Sequence, residues 1–187
     1  MQPTFEIIRE GDKSGNLAIL KLTSKIGVPI WALGIPQVSP NRVGPTWCYL
    51  IDEEKVTLID PGEAASSELL VSLLRETPFH PHDVQQILIT HSHSDHDGGL
   101  ENIAHLTKAE LWLHPLYSYL RYRPAALPGQ ANTIQHWMTT YQQKMSKRFL
   151  SATNMISAPK LDYEPKSPLI DSEYKTGNLQ IVETPGH

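Results

Sequence analysis

Gln86-Ile87-Leu88-Ile89-Thr90-His91-Ser92-His93-Ser94-Asp95-His96-Asp97-Gly98-Gly99 is an apolar run that turns abruptly into imidazoles and carboxylates. A short, nearly all-apolar segment of this kind reads as a strand buried on both faces. Where it ends, three histidines and an aspartate lie between His91 and His96. Imidazole and carboxylate are ordinary ligands of zinc and similar divalent ions. Side chains two apart in an extended segment share a side, so His91 and His93 can grip one ion together. Asp95 and His96 follow the turn at Ser94 and can face a second ion beside the first. Gly98 and Gly99 allow close backbone approach near that turn. A plain helix start, with Ser94 as N-cap and Asp95 and Asp97 at the positive helix end, accounts for the acids. It leaves the three closely spaced histidines unexplained. A metal site explains them.

Elements on either side of this run can be placed by pattern. Leu17 to Leu22 and Thr46 to Ile51 have strand-like apolar content, and Lys55 to Ile59 pairs with the latter across the short polar link Asp52-Glu53-Glu54. Ser66 to Arg75 carries Leu69, Leu70, Leu73 and Leu74 at helical spacing, and Thr77-Pro78 ends that helix. A helix from about Asp95 to His105 and a strand from Glu110 to Leu113 follow the histidine run. Strands alternating with helices through short links point to a layered α/β or α+β domain. Further on, Asn132 with Gln135 forms a capping-box pattern. Ile134, Trp137, Met138, Tyr141, Met145 and Phe149 then line one face of a helix from Thr133 to about Leu150. Lys175-Thr176-Gly177-Asn178 reads as a turn before a strand from Leu179 to Glu183.

Composition sets broad limits. The 187 residues are 40% hydrophobic, enough for one core. A formal charge of −4 gives no electrostatic reason to expect nucleic acid as a partner. The N-terminus lacks an apolar run bracketed by basic residues, and no stretch approaches the length of a membrane span. A cytoplasmic address is therefore the default expectation. The single cysteine, Cys48, sits in the apolar run Trp47 to Ile51 and reads as a buried structural thiol. His80 and His82 flank Pro81 and read as surface residues.

Thr90 to Gly99, THSHSDHDGG, resembles the HxHxDH metal-binding motif of the metallo-β-lactamase-fold hydrolases. Leu58-Ile59-Asp60-Pro61-Gly62 resembles that family's strand-end aspartate and the turn after it. Thr184-Pro185-Gly186-His187 resembles the segment that brings the next metal-binding histidine. The segments occur in the family's order, and the resemblance extends from Leu17 to His187. It implies an α+β, four-layer αββα fold. The family carries two more ligands downstream, a metal-bridging aspartate and a final histidine, whereas this chain stops at His187. The expectation is one truncated domain over residues 1–187, holding the first half of the fold without its C-terminal half. Residues 117–171 are expected to form a helical cap inserted within it.

Within that resemblance, His91, His93 and His187 form a three-histidine set with an open fourth position, as catalytic zinc requires. Asp95 and His96 hold a second metal, and Asp60 orients a ligating histidine from behind. Zinc is the expected cofactor, two ions per complete domain, with iron and manganese as alternatives. Metal lowers the pKa of bound water towards ~7, giving a hydroxide that attacks a carbonyl. Asp95 is the candidate catalytic residue, passing a proton to the leaving group. The implied activity is hydrolysis of an ester, thioester or lactone in a small-molecule substrate. The intact Asp95-His96 pair places glyoxalase II-like thioesterases first. A phosphodiesterase or nuclease of the same fold, an iron-dependent redox relative and an inactive fragment are the alternatives. Oligomer formation stays open.

Overall fold

The structure is a computed structural model that describes residues 2, 4–38, 44–91, 93–113 and 175–182. The chain falls into two compact units, Met1–Pro115 with Lys160–His187 and Leu116–Pro159. Every described residue belongs to the first. The helical cap expected over residues 117–171, with its helix from Thr133, lies outside the described residues, as does His187.

Seven strands form one mixed sheet in chain order: β1 (Thr4–Arg9), β2 (Ile19–Thr23), β3 (Pro29–Ile35), β4 (Thr46–Asp52), β5 (Val56–Ile59), β6 (Gln86–Ile89) and β7 (Glu110–Leu113). From β1 to β5 each neighbour is antiparallel, whereas β5, β6 and β7 run parallel. A parallel pair needs a crossover. Helix α1 (Ser67–Leu74) supplies the one between β5 and β6, and α2 (Ser94–Asp97) with α3 (Leu100–Thr107) the next. Both crossovers step the same way across the sheet, so right-handed connections place α1 and α3 on one face. Leu33, Cys48, Leu50, Leu58, Ile87 and Leu111 of the sheet are buried together with Leu70 and Leu73 of α1 and Leu100 and Ile103 of α3. Among the described residues, a mixed sheet with few helices agrees with the expected α+β class. Among the described residues, no helix is long and apolar enough to cross a membrane.

Strand β6 is buried along its whole length, as its apolar run requires, and pairs with Leu58 on one side and Leu111 on the other. The β4–β5 hairpin also forms as expected. Other elements differ from the sequence pattern for identifiable reasons. Strand β2 starts at Ile19 rather than Leu17, because Leu17 has a φ of 62° and closes a turn. That turn is built on the Asp12 carboxylate, which accepts from the backbone N–H groups of Ser14 and Asn16. Helix α1 ends at Leu74, where the Thr77 hydroxyl donates to the Leu74 carbonyl at 2.6 Å. Of the four leucines at helical spacing, Leu70, Leu73 and Leu74 are buried and Leu69 is 40% exposed. Strands β1 and β3 have no counterpart in the sequence reading. In β1, Phe5, Ile7 and Ile8 are all exposed, so no alternation marks it. Lys175–Thr176 is not only turn but a strand, β8, paired with β9 (Leu179–Gln180). Asn178 at that hairpin's tip donates its backbone N–H to Glu53 Oε2 at 2.9 Å, tying it to the β4–β5 turn.

Candidate metal centre

Strands β5 and β6 end side by side, and the next residues, Asp60 and Thr90, leave the sheet at the carboxyl ends of parallel strands, where ligand sites of open sheets gather. Asp60 adopts a φ of 55°, a left-handed conformation that aspartate tolerates better than most residues. The Pro61-Gly62 turn that follows is stitched to the end of the histidine run. Gly62 N–H donates to the His96 carbonyl at 3.1 Å, and the Gly62 carbonyl accepts from Gly99 N–H at 2.7 Å. This second bond is why the helix expected from Asp95 to His105 breaks. Gly99 N–H turns to Gly62, and α2 and α3 form separately around the Gly98-Gly99 turn. A Cβ on Gly99 would lie 2.7 Å from the Pro61 carbonyl oxygen and 3.2 Å from Ser67 Oγ. Gly99→Ala is therefore expected to destabilise the chain by about 1–3 kcal/mol, the usual cost of overpacking. Urea unfolding checks it: the midpoint falls while the slope stays constant.

Asp60 is the hub of the site, with only 4% of its surface exposed. Its Oδ1 accepts from Thr90 N–H at 2.8 Å. Its Oδ2 accepts from the Thr90 hydroxyl at 2.6 Å and lies 2.9 Å from His96 Nδ1. Thr90 Oγ1 is also 2.9 Å from His91 Nδ1. Since the hydroxyl proton goes to the carboxylate, the hydroxyl oxygen accepts from His91 Nδ1–H. His96 Nδ1–H likewise donates to Asp60. The hydrogen-bond network thus assigns both imidazoles the tautomer whose Nε2 carries the lone pair, the form a metal needs.

The side chains singled out in the histidine run converge here. The His91 ring contacts His93 at a centroid distance of 4.7 Å and His96 at 4.1 Å. Asp95 Oδ2 lies 3.6 Å from His96 Nε2. The N-cap of α2 is His93 rather than Ser94. The His93 carbonyl accepts from His96 N–H and Asp97 N–H at 2.9 Å each, folding Asp95 and His96 back beside it. Among the described residues, Asp60, His91 and His96 offer ligand atoms that all lie within 4.8 Å of one another. Asp60 already accepts from the Thr90 N–H, the Thr90 hydroxyl and His96, so we read it as orienting the histidines rather than ligating. His91, His93, His96 and Asp95 are then the candidate donors, a nitrogen-rich set with one carboxylate of the kind zinc or a similar ion takes, although the 4.8 Å group itself includes only His91 and His96 of these. Cys48 is fully buried; burial, with the nearby Asp60 charge, pushes its thiol pKa well up, so it stays a structural residue. His80 and His82 are exposed, as expected.

The hydrogen bond to Asp60 raises the His96 pKa above the ordinary 6.5. Burial opposes this, while the charges of Asp60, Asp95 and Asp97 add to it. In the ion-free chain, stability from this proton is fully present below the unfolded value and is lost as pH rises through the raised folded value. Ion affinity runs the other way, because the same proton competes for Nε2. Zinc titrations on either side of neutrality are expected to show weaker binding on the acid side. Equal affinity at both would remove His96 from the ligand set.

Two residues of the site had no role in the sequence reading. Thr90 directly precedes His91 in the motif, a position that could have flagged it. Gln37, in the segment after β3, donates to Asp95 Oδ2 at 2.9 Å, and nothing in its sequence neighbourhood signals this.

Solved structures similar to this chain include a motif mutant of the metallo-beta-lactamase from Cronobacter sakazakii, at 15% identity and a TM-score of 0.51, covering 79% of this chain and 47% of that one. The metallo-beta-lactamase SMB-1 bound to 2-mercaptoethanesulfonate matches at 18% identity and a TM-score of 0.48, over 78% of this chain and 45% of that one. MEM-A1, a subclass B3 metallo-beta-lactamase from a soil metagenome library, matches at 16% and 0.49, over 81% and 46%. The chain spans about half the length of these structures, and at 15% identity the likeness to the Cronobacter enzyme is one of fold. The sequence profile of the metallo-beta-lactamase superfamily matches residues 41–185, a span that includes Asp60, Thr90 and the whole histidine run. On that match, which takes in most of its length, the chain belongs to the metallo-beta-lactamase superfamily.

Proposed function

We propose that this chain carries the metal-binding part of a metal-dependent hydrolase that cleaves an ester, thioester or lactone, in the manner of glyoxalase II. The observation that carries this reading is the Asp60 hub, which holds His96 Nε2 3.6 Å from the Asp95 carboxylate and, through Thr90, leaves Nε2 of His91 with its lone pair. Zinc is the proposed metal, with two ions in the complete domain. His91 and His93, with His187, would hold one, and Asp95 and His96 the other. When bound, such ions supply an acidified water at neutral pH and positive charge for the oxygen that becomes anionic. The protein's own part is to hold the histidines in one tautomer, keep their rings together and leave Asp95 accessible. The Asp95 side chain is 30% exposed, open enough to pass a proton to a leaving group. No thiol nucleophile competes, because Cys48 is sealed in the core. The Asp95-His96 pair supports thioesters and lactones over β-lactams, and a small-molecule substrate over nucleic acid fits the acidic balance of the chain.

Assaying the protein against one thioester, one lactone, one β-lactam and one phosphodiester, with metal analysis of the same sample, tests this. Turnover of the thioester or lactone by a zinc-loaded protein is the expected result. Activity on the phosphodiester alone, or bound iron with an oxygen requirement, would overturn it.

A further inference from the structure

The segment Pro36 to Val38 is held at both ends. The Pro36 carbonyl accepts from the hydroxyl of the buried Ser66 at 2.9 Å, and Val38 N–H donates to Glu63 Oε2 at 2.8 Å. Ser66 and Glu63 lie in the loop that leads from the Asp60 turn into α1. Between these anchors, the Gln37 side chain points at the metal centre. Its single Nε2 spends one hydrogen on Thr46 Oγ1 at 3.1 Å and the other on Asp95 Oδ2 at 2.9 Å. Thr46 is itself buried, at the start of β4. The oxygen that Gln37 holds is the one 3.6 Å from His96 Nε2. Two fixed acceptors and two clamped neighbours leave this amide little freedom, so the ordering entropy is met on folding rather than on metal uptake.

We propose that Gln37 is a positioning residue for Asp95, holding the carboxylate oxygen that faces His96 Nε2 so that the ion shared by Asp95 and His96 meets an already oriented ligand. This rests on the metal-site reading above. Gln37 touches no other candidate ligand among its described hydrogen bonds, so its effect is confined to the Asp95 side of the site. Removing an outer partner of a metal ligand typically weakens metal binding about 10- to 100-fold.

Cobalt(II) titration followed by visible absorbance tests it on the parent chain, on Gln37→Met and on Asp95→Asn with and without Gln37→Met. Methionine keeps the length of glutamine and lacks its donor. The later-binding ion, taken as the one at Asp95 and His96, is expected to weaken about 10- to 100-fold in Gln37→Met, with the earlier ion unchanged and the melting temperature only slightly lowered by loss of the bond to the buried Thr46 hydroxyl. In the Asp95→Asn background the second change is expected to add nothing. Unaltered binding of the later ion in Gln37→Met overturns the proposal. So does a loss of both ions together with a markedly lower melting temperature, which would make Gln37 a loop support. So does a full additional loss in the Asp95→Asn background. A parent chain that takes up no cobalt removes the metal-site reading itself, and this proposal with it.

Discussion

Replacing His91 and His93 together by alanine is expected to abolish metal binding and hydrolysis while leaving the fold intact. Both residues lie past the end of β6, His91 half-buried and His93 exposed, so neither fills the core formed by Ile87, Leu58 and Leu111. Their rings contact each other, and His91 also contacts His96, so the double change removes the centre of the imidazole cluster. In the proposed arrangement it deletes two of the three ligands of the first ion. Loss on this scale is larger than any single outer-partner change, because the ligand atoms themselves are gone. Metal content after dialysis, far-UV circular dichroism and turnover of the preferred substrate check it together. Full activity with both alanines in place would falsify the metal-hydrolase reading.

Asp60 gives the second large effect, and it acts on fold and site at once. Asp60→Ala removes the buried carboxylate that accepts from the Thr90 N–H, the Thr90 hydroxyl and His96 Nδ1–H. Hydrogen bonds to a buried charged group are individually worth about 1.5–3 kcal/mol, so roughly 3 kcal/mol or more of stability is expected to be lost. Alanine also tolerates a φ of 55° poorly, which adds backbone strain. Asp60→Asn separates the two costs, since asparagine accepts that conformation and keeps one carbonyl oxygen. It is expected to lose less stability than alanine yet still weaken zinc binding about 10- to 100-fold, because the tautomers of His91 and His96 are no longer set. Chemical denaturation and zinc titration of the two variants read these separately. Zinc affinity equal to the parent in Asp60→Asn would leave Asp60 with a purely structural role.

Part of this protein is written locally in its sequence. Gln86 to Ile89 reads as a buried strand, because a short, nearly all-apolar run can satisfy itself only with neighbours on both sides. His91, His93, Asp95 and His96 were identifiable as a group because closely spaced imidazoles and a carboxylate have a chemistry that capping does not explain. Asp60 was legible through its Pro-Gly turn and through the family resemblance. The tertiary structure decided how these groups are hydrogen-bonded to one another. Asp60 reaches Thr90 and His96 only because β5 and β6 pair in parallel, bringing together residues 30 and 36 positions apart. Gln37 reaches Asp95 across 58 positions only because its backbone is clamped to the loop after Asp60. The break between α2 and α3 follows from one N–H choosing Gly62 over its own helix, which no helical propensity encodes. Strands β1 and β3 took their places by pairing with β2 and β4 rather than by any periodicity of their own. Local pattern reports which groups are present and which segments must be buried, whereas hydrogen bonds between distant segments form only once packing has brought their donors and acceptors together. That is why the candidate ligands could be read from the chain, and the tautomers and the Gln37 bond to Asp95 could not.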